Sequence, residues 1–142
     1  MAGIKSFRDL DTWKVAMKFA EEVYTVSAKF PDSERFGLTF QIRKAAVSVP
    51  SNVAEGQATG GIRWSLRYIR TAIGSLAEAD TQLELALRLR YVQRNACETL
   101  LGTIEDARRL LYGMRRERMR RLGRNGAAVV LLLVLFAHAS LY

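Results

Sequence analysis

Apolar side chains recur along most of this chain at the spacing of a helix with one buried face. Leu38, Ile42, Ala45, Val49 and Val53 follow one another at steps of four, three, four and four, and the pattern keeps its phase across Pro50. The spacing therefore predicts one kinked helix from about Glu34 to Glu55, with Gly56 suited to the left-handed position past its end. Pro50 has no N–H for the carbonyl of Ala46, and its ring crowds that carbonyl, a defect of about 3 kcal/mol in a helix interior. Ser48, Ser51, Asn52 and Glu55 stand around the kink. They are placed to bond the freed carbonyl, to pair across a bundle, or to hold a ligand.

Three more stripes flank this one. Ala16, Phe19, Ala20, Val23, Val26 and Phe30 mark a first helix running to about Lys29, with Asp9 or Asp11 as its cap and Trp13 and Tyr24 as core or interface aromatics. Pro31, with Asp32 or Ser33 as the next cap, closes the first connection. Gln57 to Gly61 is a second loop. Ile62, Leu66, Ile69, Ile73, Leu76, Leu83 and Leu87 form a heptad-like seam in a third helix to about Leu89. Asp80 interrupts that seam, so it either pairs with a cation or amide of another helix or lies at the seam's edge. Gly74 and Ser75 are small, leaving room for another backbone. A fourth helix runs from about Gln93 to at least Met114, with Ala96 or Cys97, then Leu100, Ile104, Ala107, Leu111 and Met114 buried. Four amphipathic helices joined by short loops predict an all-α, up-down-up-down antiparallel four-helix bundle over residues 1–118.

Gly123 to Gly126, GRNG, reads as a stop to the fourth helix, and an apolar run, Ala127 to Tyr142, follows it. Residues 119–142 thus form an Arg-rich extension and apolar tail. Three readings of the tail stay open: a marginal membrane segment too short for the roughly 20 residues a spanning helix needs, a fifth packing helix or oligomer contact, and a segment foreign to the bundle.

Composition changes the picture in two ways. With 2 Pro and 10 Gly among 142 residues there is little turn chemistry for a many-stranded sheet. Cys97 is the only cysteine, which excludes an intramolecular disulfide and a Cys-based zinc site and suits it to a small buried hydrophobe. Met1 to Leu10 holds no apolar run of the signal-peptide kind, so a cytoplasmic location is expected. The net charge of +8 is local: residues 1–107 carry 14 Lys or Arg against 13 Asp or Glu, whereas residues 108–126 carry eight Arg against Glu117 alone. Basicity gathered in this way points to an anionic partner.

Candidate chemistry is sparse. There is no GxxxxGK loop, no HExxH, no CxxC, and no ExxH to make a di-metal bundle of Glu55, Glu78, Asp80 and Glu84. His138 is the sole histidine and has no ligand partners near it in sequence. No enzymatic role, metal or cofactor is expected. A binding role falls to Arg43, Lys44, Arg63, Arg67 and Arg70 around the kink and the start of the third helix, and to Arg115, Arg116, Arg118, Arg120 and Arg121 on the fourth. The bland alternative for each group is a solvated helix face.

The stretches DLDTWKVAMKFAEEVY, FPDSERFGLTFQIRKAAVSVPSNVAEG and SLRYIRTAIGSLAEADTQLELALRL resemble the four-helix bundle proteins of the 23S ribosomal RNA intervening-sequence family, with SVPSNVAEG and GSLAEADTQL close to a signature. The resemblance implies a homo-oligomer, typically a pentamer. A related branch acts as accessory protein to the reverse transcriptase of diversity-generating retroelements and binds nucleic acid through a basic surface. The resemblance also implies structural or interface roles for Asn52, Glu55, Gly56, Gly74, Ser75 and Glu78, while the shaping role of Pro50 at the kink follows from its own chemistry. The chain departs from the family's pattern at Arg90, where members usually carry Gly, and in the apolar run after Ala127. The expected function is a non-enzymatic homo-oligomeric bundle binding RNA or a nucleoprotein partner, the alternatives being a membrane-associated bundle or a purely structural oligomer.

Overall fold

The computed structural model describes residues 6–139, with side chains over residues 6–128. Four helices carry the fold: α1 Asp11–Ser27, α2 Leu38–Ala58, α3 Ile62–Arg88 and α4 Glu98–Ala139. Each packs on its two neighbours in chain order, and α1 closes the ring against α4. The Oγ atoms of Ser48 on α2 and Ser75 on α3 are 2.8 Å apart, and Gly56 lies against Ser65 further down the pair. Positions rise on one helix as they fall on the other, so the two run antiparallel.

The stripes expected from periodicity form the core. Ala16, Phe19, Ala20, Val23, Val26 and Phe30 are buried, as are Ile42, Ala45, Val49 and Val53, then Leu66, Ile69, Leu76 and Leu83, then Leu100, Ile104, Ala107 and Leu111. Leu38, Ile73, Leu87 and Met114 pack partly buried at its margin. Cys97 rather than Ala96 takes the first inward place on the fourth stripe; it is fully buried, which pushes its thiol up from the usual range.

α2 passes through Pro50 without a break. The carbonyls just after the one that proline deprives are held by side chains: Ser51 Oγ donates to Val47 O at 2.8 Å, and Asn52 Nδ2 donates to Ser48 O at 2.8 Å. Asn52 also reaches Ser48 Oγ at 3.0 Å, joining the repaired turn to the Ser48–Ser75 contact between helices. Three of the four polar residues at the kink thus serve the backbone and the packing.

Several boundaries differ from those the periodicity suggests. Leu10, not an aspartate, occupies the N-cap position of α1; Asp9 ends a preceding 3-10 turn, where its carboxylate accepts the Ser6 N–H at 2.9 Å. α2 starts at Leu38, and neither Asp32 nor Ser33 caps it. Its cap is Glu34, in a 3-10 turn of its own, whose carboxylate accepts the Leu38 N–H at 2.7 Å and the Tyr91 hydroxyl at 2.8 Å. The 3-10 turn Arg94–Cys97 precedes α4. Gly56 does not end α2, which continues to Ala58; the left-handed glycine is Gly60, at φ 71. Gly123 to Gly126 does not stop α4 either. Its two glycines each cost only about 1 kcal/mol relative to Ala, and helix continues through them, so the tail is no separate fifth helix. The side chains of residues 129–142, including His138 and most of the apolar run, lie outside the described residues. Among the described residues, no helix is long and apolar enough to cross a membrane, and no cluster of His, Cys, Asp and Glu is arranged to hold a metal ion.

Two of these boundary features make measurable predictions. The bonds from the Leu38 N–H and the Tyr91 hydroxyl hold the Glu34 carboxyl below the usual carboxylate range. A depressed folded-state value means that the stabilisation is present above the unfolded-state pKa and is lost as pH falls through the folded one. Thermal midpoints of wild type and Glu34→Gln measured from neutral to acid pH should therefore differ most near neutrality and converge in acid. The second concerns Arg90, the one non-glycine residue with positive φ among those described, at φ 60. It closes α3 in a Schellman turn, with the Tyr91 N–H on Ala86 O at 3.0 Å and the Arg90 N–H on Leu87 O at 3.1 Å. A glycine would adopt this conformation without the Cβ penalty. Arg90→Gly should raise stability by about 0.5–1 kcal/mol in urea unfolding, the penalty removed minus the added chain entropy.

Candidate nucleic-acid interface

Between Glu55 and Glu78 the chain has no carboxylate, and from Arg108 to its end it has Glu117 alone. The fold puts these two acid-poor segments side by side. Arg108 on α4 donates to Asp80 on α3 at 2.7 Å, and Arg118 donates to Gln57 at the end of α2 at 2.9 Å. With that register, the first turns of α3 run along the part of α4 that follows Arg108. Asp80 is thus paired across the bundle and also lies at the edge of the seam, about one-third exposed.

Arg63, Arg67 and Arg70 are spaced by four and three and are all exposed, so they share one outward face of α3. Tyr112, Arg115 and Met119 follow Arg108 at steps of four, three and four, which places them on the side of α4 turned toward α3. With Arg116 and Arg120 they line an open cleft of about 630 Å³. Two guanidinium groups stack on exposed rings, Arg67 over Trp64 at 5.5 Å and Arg115 over Tyr112 at 5.9 Å from the ring centroids. Such stacking orients the guanidinium while leaving its edge N–H groups free for an anion.

The remaining sequence candidates sit elsewhere or are engaged. Arg120 and Arg121 both donate to Glu117, at 2.9 and 2.7 Å, and the Arg121 bond is the largest cause holding the Glu117 carboxyl below its usual value. Arg118 turns inward; burial lowers its pKa, and its Nε is enclosed without a hydrogen-bond partner among the described residues. Arg43 and Lys44 lie near the other end of α2, roughly 20 Å from Gln57 at 1.5 Å per residue. There the Arg43 Nε donates to Ser27 Oγ at 2.8 Å and its guanidinium lies 4.7 Å over the Tyr24 ring, joining α2 to α1. The ten cations therefore resolve into one face of five residues, Arg63, Arg67, Arg70, Arg115 and Arg116, a distant pair, the inward Arg118, and Arg120 and Arg121 held by Glu117. The exposed aromatics Trp64 and Tyr112 are members of the face that periodicity alone does not select; the signal is that they fall off the buried stripes.

Of the structural candidates, Gly56 is buried, and a Cβ there would meet Tyr68 Cβ at 3.1 Å and Ser65 O at 3.4 Å. Gly74 is the opposite case: it is exposed, and a Cβ would meet nothing within 4 Å. Glu55 is exposed, and exposed Glu78 accepts from Gln82 at 3.2 Å.

The profile of the 23S rRNA-intervening sequence protein family matches residues 8–113. The chain belongs to that family. Among solved structures, it is similar to a protein of unknown function from the S23 ribosomal protein family of Bacteroides thetaiotaomicron, at 18% identity and a TM-score of 0.68, covering 73% of this chain and 97% of that one. At that identity the likeness shows the fold. No curated protein matches the chain. The family match takes in α1 to α3 and α4 as far as Gly113, so Arg63, Arg67 and Arg70 fall within it and Arg115, Arg116 and Arg120 just beyond.

Proposed function

We propose that this family member is a non-enzymatic, homo-oligomeric bundle that binds structured RNA through the face shared by α3 and α4. The observation that carries the reading is the gathering of exposed Arg63, Arg67 and Arg70 on α3 with Arg115 and Arg116 on α4, where Glu117 is already bonded by Arg120 and Arg121 and the aspartates Asp9 and Asp11 lie in a groove on the α1 side of Arg116. Arginine forks match phosphate bidentately, and a face of this kind recognises a backbone rather than a base sequence. Self-association finds support in Leu85 in the last turn of α3 and Leu89 at its C-cap, four positions apart and each about half exposed, an apolar pair set toward the opposite end from the arginines.

Five phosphate contacts release about as many counterions, so filter-binding affinity for a folded RNA should fall on the order of 10² to 10³-fold between 50 and 200 mM salt. A protein that retains no RNA at low salt would defeat the reading. Light scattering decides the oligomeric part, which a monomeric mass would remove.

A further inference from the structure

A second surface has chemistry of its own. Where the first connection enters α2, Tyr24, Arg35, Phe36, Thr39, Phe40, Arg43, Lys44 and Val47 line an open groove of about 510 Å³, within the size range of small-ligand sites. Phe36 is 85% exposed and Phe40 53%, and Tyr24 is nearly half exposed. None of the three is needed to fill the core. Arg35 lies 5.4 Å over the Phe36 ring, and Arg43 lies 4.7 Å over Tyr24. Three cations and no carboxylate line the groove; Glu34, next in sequence, is occupied by the Leu38 N–H and the Tyr91 hydroxyl.

We propose that this groove is a stacking site for unpaired nucleobases, which holds a short single-stranded segment by its base faces on Phe36 and Phe40 and by its phosphates on Arg35, Arg43 and Lys44. The proposal rests on the nucleic-acid reading above but concerns a different ligand form and a separate site. Aromatic rings interleaved with cations bind single strands without base preference, because every base has a stacking face and every linkage a charge. A duplex buries its bases and offers the rings nothing. A second copy of the chain is the rival occupant. A two-fold contact through this face would set Arg35, Arg43 and Lys44 against their own equivalents, with no carboxylate in the groove to relieve them, whereas a ring contact would set it against a different face, a case that light scattering decides.

The test uses the full chain with two probes, a short single-stranded oligoadenosine containing 2-aminopurine and a blunt RNA duplex of equal length. Wild type should bind both and quench the 2-aminopurine as the base stacks. Phe36→Ala with Phe40→Ala should weaken single-strand binding by about tenfold or more, abolish the quenching and leave duplex binding unchanged. Phe36→Trp with Phe40 kept should retain single-strand binding and the quenching, since the indole offers the same stacking face. Unchanged single-strand affinity in the double variant overturns the proposal. So does a change of mass in light scattering with single-strand affinity intact, which would give the face to a second copy. Wild-type binding to the duplex alone defeats this inference and spares the broader one; binding to neither probe defeats both.

Discussion

Replacing Arg63, Arg67 and Arg70 together by glutamate is expected to abolish retention of a folded RNA at 0.1 M salt while leaving the bundle intact. The three side chains are exposed, and among the described residues none of them makes an ion pair or a side-chain hydrogen bond. Surface changes of that kind move stability little, so the far-ultraviolet signal and thermal midpoint should stay near wild type. Binding is another matter. Each lost phosphate contact removes about 0.9 from the slope of log affinity against log salt, so three removed at 0.1 M weaken binding by on the order of 10² to 10³-fold before the repulsion of three new carboxylates is added. Arg121→Ala should do much less, because Glu117 already holds that guanidinium at 2.7 Å. A triple variant that binds with wild-type affinity and an unchanged salt slope would show that α3 does not face the RNA. Loss of binding together with the thermal transition would point to damage elsewhere.

Those arginines also mark where sequence reading stops. The four buried stripes are legible because burial repeats every 3.6 residues whatever lies across the core, and Phe19, Val49, Leu83 and Ile104 all fall where periodicity sets them. Helix ends are less legible, since partners far away in sequence decide them. Glu34 caps α2 in concert with Tyr91, 57 positions on, and nothing local marks the pair. GRNG misleads because a glycine's cost of about 1 kcal/mol biases a helix end without imposing one. The arginine cluster of α4 can be counted from the sequence, but successive residues point about 100° apart, so Arg118 turns inward while Arg116 and Arg120 face water. Grouping Arg43 with Arg63 fails for a related reason: closeness in sequence to the kink says nothing about which end of an antiparallel bundle a side chain occupies.

The two glycines at Gly56 and Gly74 should respond to substitution with opposite signs. Both lie in helices, where Ala is preferred by about 1 kcal/mol. At Gly74 no atom would meet the new methyl, so Gly74→Ala should stabilise the isolated bundle by roughly that amount. At Gly56 the methyl would come within 3.1 Å of Tyr68 Cβ and 3.4 Å of Ser65 O, part of the α3 surface, where α2 and α3 approach each other closely. Gly56→Leu adds three further carbons in that direction. Overpacking of this kind costs about 1–3 kcal/mol and at times more, and the upper part of that range is expected because a backbone carbonyl cannot swing aside as a side chain can. For a domain stable by about 5–15 kcal/mol, a loss near 3 kcal/mol should lower the thermal midpoint by roughly 10 °C. Paired melts of Gly56→Leu and Gly74→Ala check both signs, and a Gly56→Leu protein melting with wild type would mean that α2 and α3 can separate at no cost. Gly74 carries a second consequence. If a neighbouring subunit covers it, the interface alternative of the structural or interface role that the resemblance implies, Gly74→Leu should lower the assembled mass while leaving the fold of the single bundle untouched, an effect Gly56→Leu cannot mimic without unfolding it.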